Sequence, residues 1–87
     1  METLLLEVQQ EFQFPPYFPE EILEQYLEEG KARLDGLNPG RDIDKDLVFR
    51  MLLKNYVYYA YYHKVNEWEQ NYANAILNWQ LGSEVPE

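Results

Sequence analysis

The segment from Asp44 to His63 is the feature that most limits how this 87-residue chain folds. At about 100° per residue, its apolar side chains occupy nearly the whole circumference of a helix. Only a wedge that holds Arg50 and Lys54 is distinctly polar. Because a helix that is apolar on most sides requires neighbours on most sides, this segment must pack against several other elements.

The two halves of this helix differ in the partners that they require. One stripe combines apolar side chains with polar-tipped ones: Val48, Leu52, Asn55, Tyr59 and Tyr62. The other half is also apolar, and three short helices offer too little surface to cover both. We therefore expect another chain to cover the second half, together with the outer side of the last predicted helix. This candidate interface comprises Leu53, Val57, Ala60, Tyr61, Leu77 and Leu81. The alternative is a tightly wrapped monomer whose tyrosine hydroxyls reach water.

Apolar periodicity predicts three further helices, and no strand pattern competes with them. They are expected at about Thr3–Phe12, Pro19–Leu34 and Asn66–Leu81, with Gly82 as the stop of the last one. The long helix is expected to begin at an N-cap supplied by Asp42 or Asp44. The predicted fold class is therefore all-α, a small bundle of about four helices. It forms one domain over residues 1–82, and residues 83–87 are expected to be a disordered tail.

An aromatic, proline-rich connector follows the first helix. Residues Phe14–Pro19 hold three prolines, which forbid a continuous helix. The segment is predicted to be extended, and Pro19 suits the first turn of the next helix.

Three details of the second helix are also predictable. Gly30 lies in its apolar stripe, where glycine costs about 1 kcal/mol relative to alanine, so we expect another helix to approach closely there. Gly36 is a candidate C-terminal cap. Glu29 and Arg33 have the spacing of an i,i+4 ion pair.

Catalytic and metal chemistry find little support in the composition. There is no cysteine, and His63 is the single histidine. His63 and Glu67 make a weak metal pair without further ligands. The segment Asp42–Asp46 resembles the start of a calcium loop, but it lacks the glycine and the twelfth-position glutamate, where Leu53 stands instead. We therefore expect no enzyme activity, no cofactor and no metal.

The net charge of −9 is unevenly distributed. Residues 1–30 contain eight acidic residues and no lysine or arginine. One interpretation is a solvated face that aids solubility. The other is a functional acidic face, formed by Glu21, Glu24 and Glu28, that repels nucleic acid or meets a basic partner. Direct nucleic-acid binding is disfavoured because the cations are few and scattered.

The chain is expected to be a soluble protein made in a reducing compartment. Its longest apolar run, Tyr56–Tyr62, is too short to span a bilayer, since a membrane helix needs about 20 residues. The N-terminus lacks the basic region and the apolar stretch of a secretory signal, and the absence of cysteine suits a reducing environment.

Several segments together resemble the small head–tail connector proteins of long-tailed bacteriophages. In chain order, they are a helix that begins with Glu20–Leu23 and ends with Leu34–Gly36, a polar turn, and the segment Asp44–Val48, which leads into a tyrosine-rich helix. The resemblance covers about residues 3–76 and rests on hydrophobic patterns. This chain departs from the family in its proline-rich Phe14–Pro19 segment and in His63-Lys64, where an arginine is common.

The resemblance implies a virion structural protein that is assembled in the host cytoplasm. It would dock on the portal protein, contact tail or neck proteins, and form a homo-oligomeric ring through which DNA passes without tight binding. The acidic N-terminal part suits such a channel. The alternative, from a different functional class, is a small acidic DNA mimic that inhibits or regulates a basic host protein.

Overall fold

The computed structural model describes residues 2–84, over which the chain forms five helices and no strands. They are α1 (Glu2–Phe12), α2 (Glu20–Leu37), α3 (Leu47–Tyr61), α4 (Val65–Asn71) and α5 (Ala73–Glu84). The all-α class is confirmed. The count is five rather than about four, because the last predicted helix is interrupted at Tyr72.

Helix α3 lies at the centre and packs against each of the other four helices. The core consists of apolar side chains from all five helices, with Leu52 and Phe49 of α3 fully buried in it. Its other members are Leu4, Leu5, Val8, Leu23, Leu27, Leu34, Leu53, Tyr56, Val57, Ala60, Trp68 and Trp79. The requirement for neighbours around most of α3 is thus met within one chain.

The expectation that Leu53, Val57 and Ala60 need another chain is wrong. Leu53 and Val57 are 0% exposed and Ala60 is 5% exposed. The physical reason is the extra break in the chain: α4 and α5 are separate segments, and together with α1 and α2 they surround α3. These three residues belong to the intrachain core and not to a free surface.

Helices α2 and α3 pack closely against each other at Gly30. A Cβ atom added there would lie 2.6 Å from Tyr56 Cδ1 and 2.7 Å from Leu53 Cδ1. Both distances are well below ordinary contact between carbon atoms. The expected close approach of another helix at Gly30 is therefore confirmed, and the helix is α3.

Charged side chains fasten α1 to α3 beside the buried stripe. The two cations of the polar wedge face α1: Arg50 pairs with Glu7, and Lys54 Nζ lies 3.4 Å from Glu11 Oε2. Arg50 also donates to the backbone oxygen of Ile43, at 3.3 Å. The only distinctly polar part of α3 thus has a structural role.

The predicted start of α3 and the predicted end of α2 differ from the structure. Asp46, rather than Asp42 or Asp44, is the N-cap of α3. Gly36 lies inside α2, and Asn38 is its C-cap, with its backbone N–H bonded to Leu34 O at 2.9 Å. Both capping residues, Asp46 and Asn38, also contact α5, as described below.

The C-terminal part also departs from the predictions. Lys64 rather than Asn66 precedes the first turn of α4, and Gly82 lies inside α5, which continues to Glu84. The disordered tail expected at 83–87 stays a prediction: α5 reaches residue 84, and residues 85–87 lie outside the described residues.

The predicted pair of Glu29 with Arg33 is not formed. Arg33 instead pairs with Glu69 of α4, and its guanidinium carbon lies 5.6 Å from the centre of the Tyr56 ring. The Arg33–Glu69 pair is further stabilised by a cation–π interaction, because the guanidinium also lies over the Tyr56 ring.

Among residues 2–84, no helix is long and apolar enough to cross a membrane.

Candidate partner-binding surfaces

Ten aromatic rings form one continuous network along the C-terminal half of α3. Tyr58 connects its two branches, with its ring centroid 4.8 Å from that of Phe12 and 5.7 Å from that of Tyr59. One branch reaches the connector, and the other reaches α4. The members are Phe12, Phe14, Phe18, Tyr56, Tyr58, Tyr59, Tyr61, Tyr62, Trp68 and Tyr72. The high aromatic content thus builds a single surface-reaching cluster as well as the core.

Burial sets the electrostatics of two tyrosines in this network. It raises the pKa of Tyr56 above its ordinary value, and the nearby Arg33 opposes that rise. Burial also raises the pKa of Tyr72. Both groups are therefore neutral phenols at neutral pH, which suits hydrogen bonding and packing rather than proton transfer.

The connector covers the predicted interface residue Tyr61. The rings of Phe14 and Phe18 lie 4.5 Å and 4.8 Å from the Tyr61 ring, which is half-buried as a result. Tyr61 thus has intrachain neighbours that the sequence analysis did not assign to it. The alternation of Phe14 and Phe18 around the prolines was the signal that the connector packs on something aromatic.

The connector was predicted to be extended, but it contains a β-turn. The backbone N–H of Phe18 donates to Pro15 O at 3.0 Å. Pro16 and Tyr17 occupy the central positions of the turn, and proline favours the first of these. Tyr17 is 86% exposed. A large aromatic side chain is therefore held at the tip of a turn without cover from its own chain.

A shallow groove lies on the side of α3 next to α4. Its walls are formed by Tyr58, Tyr59, Tyr62, Lys64 and Glu67. Tyr62 is 51% exposed. The groove thus combines aromatic faces with one cation and one carboxylate at its edge, a composition that suits an amphipathic side chain.

The predicted interface residues Leu77 and Leu81 are exposed, at 51% and 53%. They lie one turn apart on α5, so they share one side of that helix. Gln80 Nε2 donates to Leu37 O at 2.7 Å, which places this part of α5 beside the end of α2. Their role in binding a partner stays a prediction.

The predicted acidic residues Glu21, Glu24 and Glu28 are all exposed on α2. Across the described residues, none of the five glutamates of α2 forms an ion pair, whereas Glu7, Glu11, Glu67 and Glu69 of the other helices each do. Glu20, Glu21, Glu24, Glu28 and Glu29 thus form a row of carboxylates that no lysine or arginine neutralises. We call this row the α2 acidic row.

Asp46 connects α3 to α5, a role that the sequence analysis did not detect. Its Oδ1 accepts from the backbone N–H groups of Val48 and Phe49, at 3.0 Å and 3.1 Å. Its Oδ2 accepts from Trp79 Nε1 at 2.8 Å. The amide of Asn38 lies against α5 in the same region, 3.5 Å from Trp79 O. These contacts hold α5, and with it Leu77 and Leu81, in a fixed position.

Within residues 2–84, no group of three or more histidine, cysteine, aspartate or glutamate side chains is arranged to hold a metal ion. His63 is exposed in the turn after α3, where its φ is 58°. Its position in a left-handed turn is the geometric reason that α3 ends there.

Compared with known proteins, the chain matches no family model, no curated protein and no solved structure.

Proposed function

We propose that the chain is a bacteriophage head–tail connector, a virion structural protein that docks on the portal and forms a ring through which DNA passes. The resemblance of residues 3–76 to that family motivates the proposal, and the α2 acidic row is the observation that carries it.

The α2 acidic row suits a channel in which DNA must move without sticking. Carboxylates repel the phosphates of a duplex, and no lysine or arginine is paired with those of this row to offset the repulsion. At physiological ionic strength the repulsion is screened beyond about 8 Å. The row therefore acts only on DNA that passes close to it, as it would in the wall of a narrow channel.

The exposed pair Leu77 and Leu81 supplies a surface of the opposite kind. Apolar side chains on the outside of a rigid helix favour a protein partner. The contacts of Asp46 and Asn38 with α5 fix that helix before binding, which lowers the entropic cost of docking. In this proposal α5 contacts the portal or a neck protein, while α2 faces the channel.

Electron microscopy in negative stain tests the proposal directly. The purified protein is imaged alone and after mixing with the portal protein of the same phage. We expect ring-shaped density on the portal, including in the case where the free protein is monomeric. Failure to bind the portal at micromolar concentrations of both proteins contradicts the proposal.

Reversal of charge in the α2 acidic row is expected to impair DNA passage but not assembly. In the variant Glu24→Lys/Glu28→Lys, two exposed carboxylates become cations that bind phosphate, so we expect DNA packaging or ejection to slow. Infectivity and packaged DNA are measured in phage that carry the variant. Rings should remain intact in micrographs.

The control is Asn66→Lys/Gln70→Lys, which adds two lysines at the same spacing on exposed positions of α4 and changes the net charge by +2 rather than +4. This control is expected to package DNA normally, because α4 does not carry the row. Normal infectivity of Glu24→Lys/Glu28→Lys, or equal impairment of the control, contradicts a channel role for α2.

The α2 acidic row also supports a second candidate, a DNA mimic that occupies the basic cleft of a host protein. Glu21, Glu24 and Glu28 lie within about 60° of one another around the helix and span about 10 Å along it. A mimic would bind its target with steep salt dependence and would form no ring. Micrographs that show a ring on the portal therefore decide between the two candidates.

A further inference from the structure

The break between α4 and α5 consists of a single residue, Tyr72, and nothing in the local sequence requires it. Neither glycine nor proline occurs from Val65 to Leu81. The φ of −108° and ψ of 10° at Tyr72 differ from ideal helical angles by about 50° each. Helical hydrogen bonds lie on both sides, from Tyr72 N–H to Trp68 O at 3.0 Å and from Ile76 N–H to Tyr72 O at 2.9 Å. A modest rotation at this residue would therefore join α4 and α5 into one helix.

The apolar stripe also continues across the break in the register of one helix. Its members follow one another at spacings of four, four and three residues: Trp68, Tyr72, Ile76 and Trp79. A straight helix over residues 65–84 would keep these side chains on one side. It would also form the backbone hydrogen bonds across residues 69–75 that the interruption omits. Local sequence thus favours a straight helix, and tertiary contacts hold the bent one.

The bend is held by contacts of α5 with the end of α2 and the start of α3. Trp79 Nε1 donates to Asp46 Oδ2 at 2.8 Å, and the Trp79 ring centroid lies 5.3 Å from that of Phe49. Gln80 Nε2 donates to Leu37 O at 2.7 Å. We call the site formed by Leu37, Asp46 and Phe49 the α5 site. Straightening of the break would redirect α5 and withdraw Trp79 from this site.

A second copy of the chain is the occupant that the α5 site fits once its own helix has left. The side chains that fill the site belong to α5, and every copy in the straight form offers the same helix. Docking of α5 into another copy would remake each intrachain contact, including the burial of Trp79, which is 6% exposed. Exchange of an identical element between protomers is a low-cost route to a dimer for this reason.

We propose that α4 and α5 straighten at Tyr72 and that α5 then binds in the α5 site of a second copy, which gives a dimer with exchanged helices. The inference goes beyond the connector function and does not depend on it. Leu77 and Leu81 lie about 160° around the helix from Trp79, so the α5 site covers them in neither form. The exchanged dimer thus keeps the surface that is proposed above to contact a portal or neck protein.

Helix propensity at residue 72 tests the straightening. Tyr72→Ala and Tyr72→Gly both remove the ring that packs on Tyr59, but alanine is the better residue inside a straight helix. The difference corresponds to up to about fivefold per helix, and to up to about 25-fold in the association constant of a dimer with two straight helices. Sedimentation velocity after incubation at millimolar concentration measures the dimer fraction. We expect the wild type to form dimers, and Tyr72→Ala to form more dimer than Tyr72→Gly.

The matched control is the same pair of substitutions at Asn78, an exposed position inside α5 that is helical in both forms. Asn78→Ala and Asn78→Gly are expected to dimerise equally. A wild type that remains monomeric at millimolar concentration overturns the proposal, and so do equal dimer fractions for the two variants at residue 72.

The contact between Asp46 and Trp79 leads to an expected change in rate. This contact is the same in the monomer and in the exchanged dimer, so Asp46→Asn weakens both forms equally and leaves the association constant unchanged. The variant should nevertheless dimerise faster than the wild type, because α5 must first leave its own site. A dimer in which α5 stays in place shows no such acceleration, and an unchanged rate contradicts the release of α5.

Cross-linking identifies which copy holds α5. The sequence contains no cysteine, so a chain with Leu37→Cys and a chain with Gln80→Cys carry one thiol each. After the two are mixed and incubated, a short bismaleimide reagent is expected to join them, because residues 37 and 80 are in contact at the α5 site. Glu21→Cys in place of Leu37→Cys is the control, since it lies about 24 Å away along α2.

This cross-linking test uses the wild-type residue 72 and is therefore independent of any effect of the Tyr72 variants on folding. Circular dichroism confirms that each variant is folded. Dimers in which Gln80→Cys joins neither partner, or joins Glu21→Cys as readily as Leu37→Cys, overturn the exchange of α5.

Discussion

Asp46→Ala is expected to lower the free energy of unfolding by about 2–4 kcal/mol. Loss of the N-cap of α3 contributes about 1 kcal/mol, and loss of the acceptor for the Trp79 indole contributes about 1–3 kcal/mol. Trp79 is only 6% exposed, so water does not readily replace the carboxylate. Urea denaturation followed by circular dichroism measures the change.

Asp46→Asn separates the two roles of this carboxylate. Asparagine is as good an N-cap as aspartate, but its NH2 group cannot accept from Trp79. We therefore expect a loss of about half that of Asp46→Ala. Asp44→Ala is the control, because its carboxylate is exposed and lies 3.9 Å from Arg50. Asp46→Ala that is as stable as Asp44→Ala contradicts the proposed link between α3 and α5.

The second large effect is expected at Gly30 of α2. Replacement of glycine by alanine should lower the free energy of unfolding at Gly30 but raise it at Gly36 of the same helix. Alanine is favoured over glycine inside a helix by about 1 kcal/mol. At Gly30 the new methyl group would overlap Tyr56 and Leu53, and overpacking of this kind costs about 1–3 kcal/mol or more. We expect Gly30→Ala to be destabilised by up to about 2 kcal/mol net.

Gly36→Ala is the matched control for this prediction. Gly36 is exposed and helical, and an added Cβ meets no atom within 4 Å. Its substitution is expected to stabilise the chain by about 0.5–1 kcal/mol. Midpoints of urea denaturation at equal slope give both changes. Stabilisation by Gly30→Ala would show that α2 and α3 separate at no cost, against the close packing described above.

The sequence predicts the fold class and the buried sides of α1 and α2, since these depend on periodicity alone. Leu4, Leu5 and Val8 recur at spacings of three and four, which places them on one side of α1, and all three are buried. Leu23 and Leu27 lie one turn apart on α2 and are buried as well. Gly30 was predictable for the same reason, because a glycine in an apolar stripe has a cost that close packing offsets.

The start of α3 was not predictable, because three aspartates in alternating positions are all suitable N-caps. Asp42 accepts from the backbone N–H of Asp44 at 2.9 Å and thus forms a local turn instead. Asp46 alone also accepts from Trp79, 33 residues further along the chain. Local sequence does not encode that contact.

Two features were not predictable for the same reason, namely that tertiary packing determines them: the break between α4 and α5, and the burial of Leu53, Val57 and Ala60 within one chain. Neither glycine nor proline marks Tyr72, whose ring packs edge-on against Tyr59 at 6.0 Å. A count of apolar residues on α3 predicts that a neighbour is required but not which chain supplies it. The candidate surfaces that remain are those that periodicity does not describe: a turn tip, a groove and a row of glutamates.

The central position of α3 also determines how quickly the subunit forms. Because α3 packs most extensively on α2 and α4, which directly precede and follow it, most contacts join residues close in the chain. Chains with such low contact order fold within microseconds to milliseconds, whereas subunit assembly takes milliseconds to minutes and depends on concentration. We therefore expect folding to be complete before two subunits meet, so that assembly kinetics report on encounter between finished monomers.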